Sequence, residues 1–306
     1  MQAQRDARLS VFRFDTGSRS PAIRARAISL RPNERGDVMA IQLETGAYFG
    51  HCGRAFSCPQ GLLTEVAHAC GRHLPEHRHQ HSYISLLIGG SYTEHIEGEE
   101  FRYRPMDAVF HPFGALHSDT VGPGGGRFLC LEVLQEDVTR ELATDCGQPR
   151  RLQPDTTVLM LRLHRHLRLG TLSPEMLESS LYELLGTVEP WNPKREARFP
   201  RWLRDCLDYI DAHYQTPITV GELARRVGLH PVHLAREFRR RFNETLGEYV
   251  NTVRVKSACS QIISHAGTLA DVAMASGFYD HSHFVRVFKA RIGCTPSTFR
   301  DHHAHH

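Results

Sequence analysis

Two stretches near the C-terminal end of this chain repeat one another, and that repeat constrains the fold more than any other feature. ELARRVGLHPVHLAREF, residues 222–238, returns as DVAMASGFYDHSHFVRVF, residues 271–288. Ala224, Val227 and Gly228 recur as Ala273, Ser276 and Gly277 at an offset of 49, and Leu234, Arg236 and Phe238 recur as Phe284, Arg286 and Phe288 at an offset of 50. One residue is inserted in the turn between the two blocks. A supersecondary unit present twice is the expectation.

Each copy reads as a short helix, a glycine turn and a second helix carrying arginine. In copy one Thr219 can cap the first helix and Glu222 places a carboxylate at its positive end. Gly228 follows where a left-handed residue is needed, and Pro231 opens the next helix. This is the sequence form of a helix-turn-helix, expected at about 219–242 and 268–291. Leu234, Phe238 and Phe242 recur every four residues and should face the core, leaving Val232, Ala235, Arg236, Arg239 and Arg240 outward. In copy two Phe284 and Phe288 form the core pair, with His281, Ser282, Val285, Arg286 and Lys289 outward. Outward arginine can donate bidentately to guanine, while small or branched neighbours touch thymine methyls; the remaining basic groups suit phosphates. One arginine-rich face alone would read as solvated surface. Two copies of turn, core pair and outward arginine make double-stranded DNA the expected partner.

Charge agrees with that division. Residues 201–300 hold 14 Lys and Arg against 9 Asp and Glu, whereas the rest of the chain holds 23 against 25. The net +3 therefore resides in the last hundred residues, as a polyanion partner requires.

Residues from about Trp202 to Arg300 resemble the DNA-binding domain of the AraC/XylS family of bacterial transcription regulators. The densest match is GFYDHSHFVRVFKARIGCTPSTFR, Gly277 to Arg300, through Gly277, Phe278, Ser282, His283, Phe284, Arg286, Phe288, Lys289, Gly293, Thr295, Pro296 and Arg300. Copy one matches through Ile218, Leu223, Ala224, Leu234, Arg236, Phe238, Tyr249 and Arg254. It departs at Asn243 (usually Gly), Leu246 (often Pro) and His230 (usually Ser). The resemblance implies seven helices, with a connector over about Thr245–His265 turning Tyr249, Val253 and Ile262 inward. It would set the recognition helices in successive major grooves roughly 34 Å apart. It also implies an N-terminal cupin-like barrel that senses a small-molecule effector, homodimerisation, activation, and RNA polymerase as a partner at the promoter.

The remaining texture fits an α+β chain of two domains. From about Ile28 to Leu134 short runs such as SYISLLI, FRYR, DAVFHP and GRFLCLEVL argue for β structure, with turn signals at Gly89-Gly90 and Gly122 to Gly126. From Asp155 to Val188 the leucines take helical spacing, and Ser173-Pro174-Glu175 marks a second helix start. The expected organisation is a cupin-like sensing domain at 1–150, a helical hairpin suited to dimerisation at 151–188, a Pro-rich linker at 189–200 and the DNA-binding domain at 201–300.

RHLPEHRHQHSYISLLIGGSYTE, residues 72–94, resembles the first cupin motif through His77, His79 and Gly90; HPFGALH, residues 111–117, resembles the second through Pro112, Gly114 and His117. His77, His79 and His117 are thus candidate ligands for a divalent transition metal such as Fe, Ni, Zn or Cu, with His73 and His81 as substitutes. The glutamate that completes such sites is sought near Tyr83 or Ile84 and is missing there, so a metal-free pocket for an organic effector is the leading expectation. A metal-binding sensor is the alternative, and a three-histidine enzyme fused to a DNA-binding domain a more distant one; no further acid/base set accompanies it, so a non-enzyme is expected. A DNA-repair fusion would need a cysteine cluster that Cys52 and Cys58 do not supply.

The eight cysteines form no C-x-x-C pair and read as reduced thiols. Cys52 and Cys58 are read as flanking a short loop that could host a redox or soft-metal site. The terminal DHHAHH offers His302, His303, His305 and His306 but reads as a frayed end. With no apolar run of membrane length and no secretory leader pattern, a cytoplasmic protein without membrane contact is expected.

Overall fold

The computed structural model describes residues 10–14, 25–29, 41–135, 149–188, 200–242, 244–265 and 267–303. The linker expected at 189–200 lies, but for Pro200, outside these residues, as do Asn243, His305 and His306. The chain forms two compact units: one comprises residues 1–153 and 163–190, the other 154–162 and 191–306. The architecture is mixed, with a curled sheet in the first and helices in the second. No described helix is long and apolar enough to cross a membrane.

In the β-rich unit a small sheet pairs β1 (Ser10–Phe14) with β2 (Ala25–Ser29) and β4 (Ala47–Tyr48). The main sheet contains β3 (Ile41–Leu43), β5 (His51–Cys58), β6 (Gly61–His68), β7 (His73–His79), β8 (Tyr83–Ile96), β9 (Glu99–Tyr103), β10 (Ala108–His111), β11 (His117–Val133) and β12 (Arg150–Arg151). Its path runs β12-β10-β8-β11-β6-β5; β7 bridges β11 and β3, and β9 pairs with β8. The sheet curls enough for Cys52 and Val66 on one flank to share a buried cluster with Val109 and Tyr103 on the other.

The glycine pairs do not end strands as expected. β8 runs 14 residues through Gly89-Gly90 and β11 runs 17 residues through Gly122 to Gly126. The register shifts between Val121 and Gly126, so these glycines form a bulge that bends two long strands without cutting them. Gly90 takes φ +91°, and a Cβ there would lie 2.0 Å from the Gly125 carbonyl oxygen. A turn and a bulge ask for the same residue, which is why composition alone misreads the site.

Cys52 and Cys58 also differ from expectation: both are buried on β5, facing Val66 and Gly61 of β6. At opposite ends of one strand they are roughly 20 Å apart, too far to share a metal or a disulfide.

Helix α1 (Pro154–Leu169) closes on the left-handed Gly170, and α2 (Pro174–Thr187) starts at Ser173, whose side chain accepts from Met176 N. Leu177, Leu181, Leu184 and Leu185 of α2 are buried. Within the β-rich unit the α1 residue His164 is buried and bonds Glu65 Oε1 at 2.6 Å.

The helical unit holds α3 (Arg201–His213), α4 (Val220–Arg226), α5 (Pro231–Phe242), α6 (Leu246–Ile263), α7 (Leu269–Ala275), α8 (His281–Ile292) and α9 (Pro296–His303). Thr219 caps α4, and Thr245 and Thr268 form capping boxes with Glu248 and Asp271 at α6 and α7. Asp280 caps α8 by accepting from His283 N. Where His230 replaces the usual serine before α5, its Nδ1 accepts from Val232 N at 3.4 Å. The first core joins Leu203 and Ile210 of α3, Leu223 of α4, Leu234 and Phe238 of α5, and Leu246, Tyr249 and Val253 of α6. The second is aromatic: Phe278–Phe284, Phe284–Phe288 and Phe288–Phe299 ring centres lie 5.1, 5.5 and 5.4 Å apart. Ile262, at the far end of α6, is also buried, so one helix serves both cores.

The terminal histidines are not all frayed. His303 is buried, bonds the Phe299 carbonyl at 2.8 Å and packs its ring, tilted, 4.2 Å from that of Phe299, which makes it the last core residue of α9.

Candidate nucleic-acid interface and a buried histidine pocket

The periodicity that buries Leu234 and Phe238 turns the rest of α5 outward. Val232 is 68% exposed, and Ala235, Arg236, Arg239 and Arg240 are exposed. Arg236 Nη2 lies 3.4 Å from His233 Nδ1, and Arg240 Nη2 donates to Glu237 Oε2 at 2.7 Å. On α8, His281, Ser282, Arg286 and Lys289 are exposed. Val285, between Phe284 and Arg286, is half-buried. Tyr279, which sequence reading passed over, is 91% exposed in the turn before α8. Nothing in its local pattern separates it from the buried Phe278 beside it.

Two arginines fix the relation between the copies. Arg254 of α6 donates to the carbonyls of Tyr214 and Thr216 at 2.7 and 2.9 Å. Arg291 of α8 reaches Glu244 Oε2 and the Glu248 carbonyl, each at 3.1 Å. Burial pushes the Glu244 carboxyl up to about 7 against the pull of Arg291. Gly277 matters at the same junction. It has φ +83°, and a Cβ would lie 2.6 Å from Gln215 Cα and 2.7 Å from the Tyr214 carbonyl oxygen, so any side chain would push the second helix-turn-helix off the end of α3.

The β-rich unit gathers its polar groups inside. β7 places His77 and His79 on one face, and β11, lying between β7 and β8, sets His117 opposite His77 and Asp119 opposite Glu94. His77, His79, Glu94, His111, His117 and Asp119 are all buried around one pocket. Ligand atoms of His77, His79 and His117 lie within 4.8 Å of one another, as do those of Glu94, His117 and Asp119. The glutamate missing near Tyr83 is thus supplied by Glu94, farther along the same strand, and this corrects the expectation that no carboxylate accompanies the histidines. His73 and His81 are not part of the cluster: His73 Nδ1 lies 3.5 Å from Thr120 Oγ1, and His81 Nε2 bonds Thr45.

Hydrogen bonds orient these side chains. His77 Nδ1 donates to the Pro75 carbonyl at 2.9 Å and His117 Nδ1 to the Ala115 carbonyl at 3.0 Å. A carbonyl only accepts, so in both rings Nδ1 carries hydrogen and Nε2 turns its lone pair into the pocket. Glu94 accepts from the Tyr103 hydroxyl and lies 3.3 Å from His111 Nδ1, whose ring meets Ser85 Oγ at 2.9 Å. Burial raises the Glu94 carboxyl, but His111, His117 and Tyr103 outweigh it and hold it below the usual range. Asp119 is pushed above its usual range by burial and by Glu94 opposite. Burial lowers His77, His79 and His117.

A helix-turn-helix domain family matches residues 223–302. The regulatory protein SoxS of Escherichia coli (strain K12) is 30% identical over 98 residues, which cover 32% of this chain and 92% of SoxS. The bifunctional transcriptional activator/DNA repair enzyme AdaA of Bacillus subtilis (strain 168) is 31% identical over 99 residues, 32% of this chain and 47% of AdaA. Among solved structures, ToxT of Vibrio cholerae aligns over 79% of this chain and 98% of its own at 10% identity and a TM-score of 0.35.

Proposed function

The chain belongs to the AraC/XylS family of transcription regulators, and on that premise we propose that α5 and α8 read base edges in successive major grooves of promoter DNA. One observation carries the reading: both helices turn arginine outward opposite a buried aromatic or aliphatic pair, while α6, Arg254 and Arg291 brace them as one body. Arg286 is positioned to donate to a guanine, Val232 to meet a thymine methyl, and Arg239 and Lys289 to hold phosphates. The cupin-like β-rich unit biases this activity by binding an effector with different affinity in two arrangements of the chain. Activation through RNA polymerase and homodimerisation through α1 and α2 complete the proposal. The repair activity in AdaA's name is not carried over, since the aligned residues span only 47% of that protein.

Gel-shift titration on a selected site tests it. Arg286→Ala should weaken specific binding by about 1–3 kcal/mol and relax preference at one base pair. Equal weakening on every sequence would reassign Arg286 to a phosphate. Sedimentation should show a dimer; a monomer at high micromolar concentration would overturn the assembly.

A further inference from the structure

We propose that His77, His79, His117 and Glu94 bind one divalent first-row transition-metal ion, with Asp119 balancing its charge. Only the statement that this ion is the regulator's effector rests on the function proposed above; the site itself stands on geometry.

The sheet register supplies the first argument. Glu94 and Asp119 are directly opposed on neighbouring strands, and each is 1% exposed. Like charges facing across a ladder destabilise it, the more so away from water. Tyr103 and His111 compensate Glu94. Asp119 has less help: the Tyr92 phenol is its one hydrogen-bonding neighbour, and His77 Nε2 lies 3.7 Å away. Two buried carboxyl groups facing one another beside His77, His79 and His117 form a donor set that a divalent cation would satisfy.

The imidazoles supply the second. The Nε2 lone pairs of His77 and His117 face Asp119 Oδ2 and Glu94 Oε1, each at 3.7 Å. With hydrogen on Nδ1 in both rings, each Nε2 lone pair is free to take a ligand in the pocket. A metal at about 2.0–2.2 Å from nitrogen and oxygen would take up these lone pairs, and two triads of ligand atoms, sharing His117, each already lie within 4.8 Å of one another. The Nδ1 bonds to carbonyls and the His111–Glu94 contact are the outer supports that orient metal ligands.

The donor set supplies the third. Imidazole with carboxylate suits Fe, Co, Ni, Cu or Zn, whereas Ca and Mg take oxygen ligands and thiolate-rich sites take softer ions. A divalent ion matches two carboxylates. The ligands' near-complete burial suits an ion.

The test uses the full-length chain, stripped with chelator and titrated with cobalt(II) chloride. One equivalent should bind, with visible d–d absorption and a raised Tm. Replacing the terminal His302, His305 and His306 by Gln should leave that equivalent in place. His117→Gln should abolish it, and Glu94→Gln, a near-isosteric change, should shift the bands and weaken binding at least about 10-fold. Circular dichroism checks that each variant folds. Folded wild-type protein that takes up no cobalt, or uptake unchanged in both folded variants, overturns the site. Gel shifts on the same samples separate the two readings. Specific DNA binding without cobalt uptake would remove the metal and leave the regulator; uptake without DNA binding would do the reverse.

Discussion

The two units put their polar groups on opposite sides. In the helical unit Phe284, Phe288 and Phe299 are buried while Arg236, Arg239 and Arg286 face solvent. In the β-rich unit histidines and carboxylates line the interior of the sheet. On the function proposed, the difference follows from the size of what each surface would meet. A DNA duplex cannot enter a protein, so its contacts must stay hydrated on the outside until it arrives. A small ligand can be enclosed, and its contacts are then desolvated in advance and need internal partners such as Tyr103 and His111. One unit should therefore fail when its packing is cut, the other when its buried charges change.

The largest effect expected from that contrast is on packing. Phe288→Ala removes a fully buried ring that touches both Phe284 and Phe299, and should cost about 3–5 kcal/mol. Trp202 packs against the first core of the helical unit, so its fluorescence in urea, read in a Trp191→Phe background, follows that unit. Its midpoint should fall and specific DNA binding should be lost, while cobalt uptake stays at the wild-type level. An unmoved tryptophan transition would mean that the aromatic chain does not hold the second helix-turn-helix together.

Charge should dominate in the other unit. Burial pushes the Glu132 carboxyl up to about 7, although Tyr48 Oη at 2.5 Å and the Gly46 amide donate to it. The native state therefore holds a proton on Glu132 that the unfolded chain releases near 4.5. The Glu132 contribution to the stability of the β-rich unit, read as the difference between wild type and Glu132→Gln, should fall as pH rises from about 4.5 to about 7, by at most about 3 kcal/mol. The lowered His77, His79 and His117 slope the other way. Glu132→Gln should remove this fall and raise stability at pH 8. Urea melts of both proteins across that range check it, and a difference that stays constant with pH assigns no such proton to Glu132.

The same contrast explains what could be read before the structure. Thr219, Gly228, Pro231, Leu234 and Phe238 act within one or two helical turns, so their spacing already indicated caps, turn and core face, and repetition supplied the function. Glu94 could not be found that way. It lies 17 residues beyond His77 and reaches the pocket because β8 continues through the Gly89-Gly90 bulge and pairs with β11. In a strand, each residue's side depends on register, and a single bulge reverses it. The braces made by Arg254 and Arg291 were equally hidden, because their partners are backbone carbonyls and a glutamate brought near by tertiary packing.

A finer comparison lies inside the helical unit, between its two recognition helices. On α5 Arg240 is bridged to Glu237 at 2.7 and 3.3 Å through Nη2 and Nε. At the equivalent places on α8 stand Ala290 and Val287, so copy two has no such pair. An exposed bridge of this kind is screened by salt and adds little to folding, yet it occupies a guanidinium that phosphate would otherwise attract. Glu237→Gln should therefore leave stability and base preference unchanged and steepen the salt dependence of binding, by about 0.9 in the slope of log K against log salt for one added phosphate contact. Binding to random-sequence DNA at low salt should tighten in parallel. If the slope stays at the wild-type value, Arg240 either meets phosphate with the bridge intact or never faces DNA. Measuring Arg240→Ala separates these: in the first case it flattens the slope, and in the second it does nothing.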